Sequence, residues 1–161
     1  MNWDQLFTMQ KQLDTYIENN HDLRGVDIFQ EKYLALLVEI GELANETRCF
    51  KFWSKKPANE KSVILEEYVD GVHFILSLGL EKGLSYRSDK LEASSNSETE
   101  QFNEVFAAAV QFKGEATQNN YNLLFGKFLQ LGNILGFTES DIQHAYMKKN
   151  EINYERQNTG Y

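Results

Sequence analysis

Cysteine and proline are almost absent from this 161-residue sequence, which contains one of each. The lone Cys49 excludes an intramolecular disulfide and a cysteine-based zinc site. The lone Pro57 leaves long uninterrupted segments, which favours helices. No signal-peptide pattern is visible, and no run of about 18 apolar residues could cross a bilayer. We therefore expect a cytoplasmic protein that does not associate with a membrane.

An excess of basic residues is also lacking, since 16 Lys and Arg face 24 Asp and Glu for a net charge of −8. This balance weighs against binding of a nucleic-acid polymer, which usually needs a basic face. An acidic protein can still bind a small polyphosphate if divalent cations bridge the two sets of negative charge. The length and a hydrophobic content of 42% predict one domain over residues 1–161 with its own core.

Apolar residues recur at helical spacing in six segments, and no segment reads convincingly as a strand. The predicted helices span residues 4–19, 27–48, 60–82, 99–113, 119–135 and 138 to about 156. Asp27 is the expected N-cap of the second helix, and Thr138 and Asp141 form a capping box for the sixth. We expect a loop over 49–59, a polar and mobile connection over 83–97, and an irregular tail from Gln157. The sequence predicts an all-α helical bundle.

Two of these helices carry pairs of carboxylates three residues apart. Glu39 and Glu42 share one face of the second helix, and Glu67 and Asp70 share one face of the third. Oxygen ligands of this kind suit magnesium or manganese rather than zinc. The alternative is that both acidic faces are merely solvated, as we expect for the adjacent Glu66.

His73 follows Asp70 by three residues, as in half of a di-iron carboxylate site. A second such unit is missing from the sequence. We therefore interpret His73 as a histidine at the edge of the core or as a substrate contact.

Basic and aromatic residues supply candidate contacts for a phosphorylated ligand. Lys51 and Trp53 follow the second helix directly, and Trp53 with Phe74 could offer a flat surface to a base ring. The alternative is a loop anchored by aromatic rings, with its lysines in water. In the sixth helix, Lys149, Asn153 and Arg156 form one polar stripe. It could clamp phosphate oxygens or simply complement the helix dipole.

The motifs taken together resemble the dimeric all-α dUTPases, within the MazG-like group of NTP pyrophosphohydrolases. They are Glu39-Ile-Gly-Glu42-Leu-Ala-Asn-Glu46, Lys51-Phe-Trp53, Glu67-Tyr-Val-Asp70-Gly-Val-His-Phe74 and Lys149-Asn-x-x-Asn153-x-x-Arg156-Gln-x-x-Gly-Tyr161. The resemblance implies a bundle of about six helices with a four-helix metal-binding core. It also implies magnesium-dependent hydrolysis of dUTP, and of dUDP, to dUMP in a homodimer, with manganese as a substitute.

The resemblance also assigns roles to individual residues. The implied metal ligands are Glu39, Glu42, Glu67 and Asp70, and Glu39 is the best candidate to orient or deprotonate the attacking water. The implied phosphate contacts are Lys149, Asn153 and Arg156, and the implied deoxyuridine contacts are Gln10, Lys51, Trp53 and Phe74.

The first helix departs from the family pattern. The family reads uracil with a Gln followed four residues later by Asn, whereas here Gln10 is followed by Asp14, which when ionised only accepts hydrogen bonds. Two alternatives stay open at this point: the same chemistry on another nucleotide such as dCTP, and a non-catalytic helical scaffold.

Overall fold

Six α-helices account for most of the computed structural model, which describes residues 1–87 and 91–160. They are α1 (Trp3–Asn20), α2 (Phe29–Thr47), α3 (Lys61–Glu81), α4 (Glu98–Gly114), α5 (Gln118–Ile134) and α6 (Glu139–Thr159). No strand occurs among the described residues, so the prediction of an all-α bundle is confirmed. None of these helices is long and apolar enough to span a membrane.

Side-chain caps explain where several helices begin. The side chain of Ser97 caps α4 and that of Thr138 caps α6, each completing a capping box with the acidic residue three positions later. The sequence predicted the second of these boxes, with Asp141 as the reciprocal partner, and that prediction is confirmed.

Two predicted helix ends were wrong. The N-cap of α2 is Ile28 rather than Asp27, because the Asp27 carboxylate accepts the amide of Phe29 only two residues on, at 3.0 Å. The tail from Gln157 is helical as far as Thr159. The helix continues because Gly160 is the first residue that readily adopts the left-handed cap conformation, here with φ of 77°.

The segment 83–97 lies between α3 and α4, and its residues 88–90 fall outside the described part of the chain. Described residues on both sides of this gap pack against the core, and the mobility that we expected of the connection stays a prediction. Leu84, Tyr86 and Leu91 pack against the core, and the ring of Tyr86 stacks on Phe125 with centroids 4.6 Å apart. These apolar contacts place residues 84, 86 and 91 against the core.

The helix α3 is the centre of the bundle and packs against α1, α2, α5 and α6. It is apolar over most of its circumference, which is typical of a helix with neighbours on several sides. A short connection joins α4 to α5, and this hairpin packs on α2 and α3. The helices α1, α2 and α6 therefore pack around the side of α3 that carries its polar residues.

Close approach of α5 to α3 depends on a glycine. Tyr68 of α3 stacks on Phe128, and its hydroxyl donates to the Phe128 carbonyl at 3.0 Å. A Cβ atom at Gly132 would lie 2.4 Å from the Tyr68 hydroxyl oxygen, which has no room to move because the tyrosine is completely buried. Only glycine therefore fits at this crossing.

We expect Gly132→Ala to destabilise the protein by about 1–3 kcal/mol, the usual cost of overpacking a core. Gly126→Ala on the same helix is the matched control, because its Cβ would meet nothing closer than 4.0 Å. That control should gain about 0.5–1 kcal/mol from lower backbone entropy in the unfolded chain. Urea unfolding measures both, and equal effects would contradict the crossing described here.

Candidate active site

Three carboxylates from two helices meet beside the core. Glu39 lies on α2, and Glu67 and Asp70 lie on α3, where each is partly buried. One oxygen from each of the three lies within 4.8 Å of the others. The tight packing of α2 on α3 thus brings together three of the four predicted metal ligands.

The fourth predicted ligand, Glu42, is exposed and lies outside this group of three. It is still close enough for its negative charge to raise the pKa values of Glu39 and Glu67. The structure therefore places Glu42 beside the cluster rather than in it.

The cluster is electrostatically strained in the absence of a cation. Burial, followed by the charges of Asp70, Glu42 and Glu67, raises the pKa of Glu39 from 4.5 to about 7. Burial and the neighbouring carboxylates also raise the pKa of Glu67. Three converging hard oxygen donors that repel one another fit a hard divalent cation such as Mg²⁺.

Lys149 of α6 partly compensates this charge. Its buried ammonium lies 2.6 Å from Asp70 Oδ2 and 3.0 Å from Glu66 Oε1. Burial opposes the charged form, but the hydrogen bonds and charges of these two carboxylates raise the pKa of Lys149 overall. We expected Glu66 to be a solvated surface residue. Its carboxylate is half-exposed, but it also forms an ion pair with Lys149.

A cavity of about 500 Å³ connects this cluster with α1. Eight of the twelve predicted site residues line it, together with Asp14, Lys32 and Ser77. The eight are Gln10, Glu39, Asp70, His73, Phe74, Lys149, Asn153 and Arg156. One cavity is thus lined by two of the three clustered carboxylates, Glu39 and Asp70, and by the polar stripe of α6.

The α1 end of the cavity is a buried hydrogen-bond network. Gln10 Nε2 donates to Asp14 Oδ1 at 2.8 Å, and the Ser77 hydroxyl donates to Asp14 Oδ2 at 2.6 Å. Gln10 Oε1 lies 2.7 Å from His73 Nδ1 and accepts from the Tyr146 hydroxyl at 2.8 Å.

His73 is buried and stacks on the Tyr146 ring with centroids 4.1 Å apart. Burial, reinforced by the positive charge of Lys149, lowers the pKa of His73 to about 3. The imidazole is therefore neutral at physiological pH.

Lys51 and Trp53 do not line this cavity. They lie in the turn after α2, where Trp53 is 65% exposed and packs edge-on against Phe50 and Phe52. The Lys51 ammonium lies over the Phe50 ring, 5.5 Å from its centroid. The structure thus separates these two predicted substrate contacts from the other residues of the site.

Sequence reasoning missed Lys32, Ser77 and Tyr146, although helical spacing carried a signal for each. Residues seven apart lie on nearly the same side of a helix, which relates Lys32 to Glu39 and Ser77 to Asp70. Tyr146 lies three residues before Lys149 on the inner face of α6.

Lys32 pairs with Asp14 at 3.7 Å, with Glu18 at 3.5 Å and with Glu81, so it closes the cavity wall between α1 and α2.

The fold and this site define an all-α protein with carboxylates arranged for a divalent cation and a cationic stripe suited to an anionic ligand. A sequence model of the dUTPase family matches residues 2–161. The chain therefore belongs to the dUTPase family, hydrolases of acid anhydrides that convert dUTP to dUMP. No curated protein matches the sequence.

We expect Glu39→Gln to stabilise the protein at pH 8 in the presence of a chelator. Because folding raises the pKa of Glu39 from 4.5 to about 7, its contribution to stability is complete below pH 4.5 and is lost as the pH rises through 7. Partial solvent screening limits the gain to about 1 kcal/mol, or about 2–4 °C in Tm for a chain of this size.

Thermal unfolding between pH 4 and pH 8 measures this effect. The fall in Tm with rising pH should be shallower in Glu39→Gln than in the wild type. Glu151→Gln, which removes an exposed carboxylate of α6, is the control and should keep the wild-type slope. If Tm fell equally steeply with pH in all three proteins, Glu39 would not be electrostatically strained in the fold.

Proposed function

We propose that this chain uses Mg²⁺ to hydrolyse dUTP, and also dUDP, to dUMP, with Mn²⁺ as a substitute ion. One observation carries the proposal: the cavity that holds Glu39 and Asp70 is also lined by Lys149, Asn153 and Arg156. Such a cavity can accept both a divalent cation and the phosphates that the cation accompanies. A cytoplasmic location stays a prediction from the sequence.

Glu39, Glu42, Glu67 and Asp70 would hold the ion, with Glu42 joining the three clustered carboxylates from its exposed position. When bound, the ion supplies positive charge that neutralises the triphosphate. The carboxylate of Glu39 takes the proton of the attacking water. With the ion bound, this carboxylate would be ionised at neutral pH and therefore able to accept the proton.

Lys149, Asn153 and Arg156 hold phosphate oxygens and offset the charge that develops as the phosphoanhydride breaks. The Lys149 ammonium carries three donors and uses two of them on Glu66 and Asp70, so the third can bind a phosphate oxygen. At the far end of the cavity, Gln10, His73 and Phe74 surround the deoxyuridine.

A pyrophosphate-release assay over the common deoxynucleoside triphosphates, with and without Mg²⁺, tests the proposal. We expect turnover of dUTP that depends on the ion, and phosphate release from dUDP. Comparable rates on dCTP would show that the site accepts pyrimidine nucleotides in general and is not specific for uracil. Full activity in excess chelator would overturn the role of the carboxylates.

Glu42→Gln should lower kcat for dUTP by roughly 100-fold or more, in the range seen when a charge-stabilising group is removed from an active site. Circular dichroism should keep its helical signal, because the side chain is exposed. Glu46→Gln, one turn further along α2, is the matched control. Its amide oxygen can still accept from Asn59, so turnover should persist.

The homodimer is also part of the proposal, and the outer face of α2 supports it. Leu34 and Val38 are 62% and 49% exposed, and Gly41 continues the same stripe with open space beside it. A second copy of the chain would bury this stripe. Lys51 and Trp53 do not line the cavity of their own chain. In a dimer they could contact the cavity of the partner subunit instead.

We expect the double variant Leu34→Glu/Val38→Glu to be monomeric, because the new charges would be desolvated at an interface. Light scattering coupled to size exclusion gives the mass directly. Val110→Glu introduces a charge at a 62% exposed valine of α4 and should leave the dimer intact. A wild-type monomer at high protein concentration would end the dimer proposal.

A further inference from the structure

The ammonium of Lys149 contacts two carboxylates that line different cavities. Its Nζ atom is 2.6 Å from Asp70 Oδ2 and 3.0 Å from Glu66 Oε1, and these two acidic residues are about one turn apart on α3. Asp70 lines the cavity that contains Glu39. Glu66 instead lines a second cavity of about 440 Å³ between α3 and α6, and Lys149 lines both. Lys149 therefore lies in a wall shared by the two cavities, with one counterion on each.

The two carboxylates differ in their exposure to water. The side chain of Asp70 is 17% exposed, whereas that of Glu66 is 57% exposed. Glu66 also lies outside the group of three carboxylates that could hold a metal ion. Its carboxylate therefore keeps much of its hydration, and a metal ion bound at the cluster would leave it available to Lys149.

A divalent cation and the ammonium of Lys149 compete for Asp70. Among the described residues, Asp70 and Glu66 are the carboxylates within 4.0 Å of that ammonium. A buried ammonium is strongly destabilised without a carboxylate partner, because water no longer solvates its charge. In the absence of Glu66, Asp70 would have to serve both the lysine and the metal ion. Glu66 thus supplies the counterion that Lys149 needs when Asp70 binds a metal ion.

We propose that Glu66 is a positioning residue, which holds Lys149 from the second cavity and so keeps Asp70 available to the divalent cation. This inference rests on the proposed function. The same ion pair fixes the direction of the Lys149 side chain, whose remaining N–H can then bind a phosphate oxygen. Glu66 does not line the cavity that contains Glu39, so its effect on turnover passes through Lys149.

A double-mutant cycle of Mn²⁺ binding, followed by electron paramagnetic resonance, tests this coupling without turnover. Mn²⁺ is titrated into each protein with and without a non-hydrolysable dUTP analogue. We expect Glu66→Gln to weaken Mn²⁺ binding roughly 3- to 10-fold, a coupling typical of residues in one ion-pair network. In the Lys149→Met background the same change should have a much smaller effect, because no ammonium is left to compete for Asp70.

Simple attraction between Glu66 and the cation predicts a different pattern. In that case Glu66→Gln would weaken Mn²⁺ binding by the same factor with and without the ammonium of Lys149. Glu151→Gln is the matched control, because it removes an exposed carboxylate of α6 two residues from Lys149. Mn²⁺ binding to that variant should stay close to the wild-type value.

Turnover gives a second readout, which separates positioning from general damage to the fold. In Glu66→Gln, hydrolysis of dUTP should require a roughly 3- to 10-fold higher Mg²⁺ concentration, and excess Mg²⁺ should restore most of kcat. KM for dUTP should stay raised even then, because the Lys149 side chain is less firmly held. Glu66→Asp keeps the charge and should recover part of the loss.

The inference would be overturned, with dUTP hydrolysis still established, by wild-type Mn²⁺ binding in Glu66→Gln or by equal weakening with and without the Lys149 ammonium. A loss of kcat that excess Mg²⁺ does not restore would overturn it as well, because it would indicate a damaged fold. A wild-type protein that binds no divalent cation and hydrolyses no deoxynucleotide would overturn the proposed function and this inference with it.

Discussion

The repulsion among Glu39, Glu67 and Asp70 is the interaction on which the rest of the site depends. Packing of α2 on α3 forces the three carboxylates together, and burial makes their mutual charge expensive. Two features reduce this repulsion. The pKa of Glu39 is raised to about 7, and the ammonium of Lys149 lies against Asp70. A divalent cation held by the three carboxylates would offset the same repulsion more strongly.

A single carboxylate also organises the opposite end of the cavity. Asp14 accepts from the amide of Gln10 and from the Ser77 hydroxyl, and Gln10 Oε1 lies against His73 Nδ1. The ammonium of Lys32 pairs with the carboxylates of Asp14, Glu18 and Glu81 and so partly neutralises all three. The departure from the family pattern at this position is therefore not an isolated substitution. It is the start of a chain of hydrogen bonds that reaches His73 through Gln10.

Much of the fold was predictable because it depends on local patterns. Helical periodicity located all six helices of the described chain, and the Thr138 capping box was found from two residues three apart. The errors fell at helix ends, where local signals compete. Asp27 bonds the backbone one residue too early to be the cap, and nothing in 157–159 breaks the last helix before Gly160.

The sequence by itself determined the helices, the carboxylate pairs, the polar stripe of α6 and the membership of the dUTPase family, since each is a matter of spacing along the chain. Only the tertiary structure decided that Glu42 stays outside the carboxylate cluster, that Lys149 binds Asp70, and that Trp53 lies off the cavity. It alone decided that His73 is buried and stacks on the ring of Tyr146. These facts depend on which helices cross and at what distance, and burial and contact between helices cannot be read from the spacing within one helix.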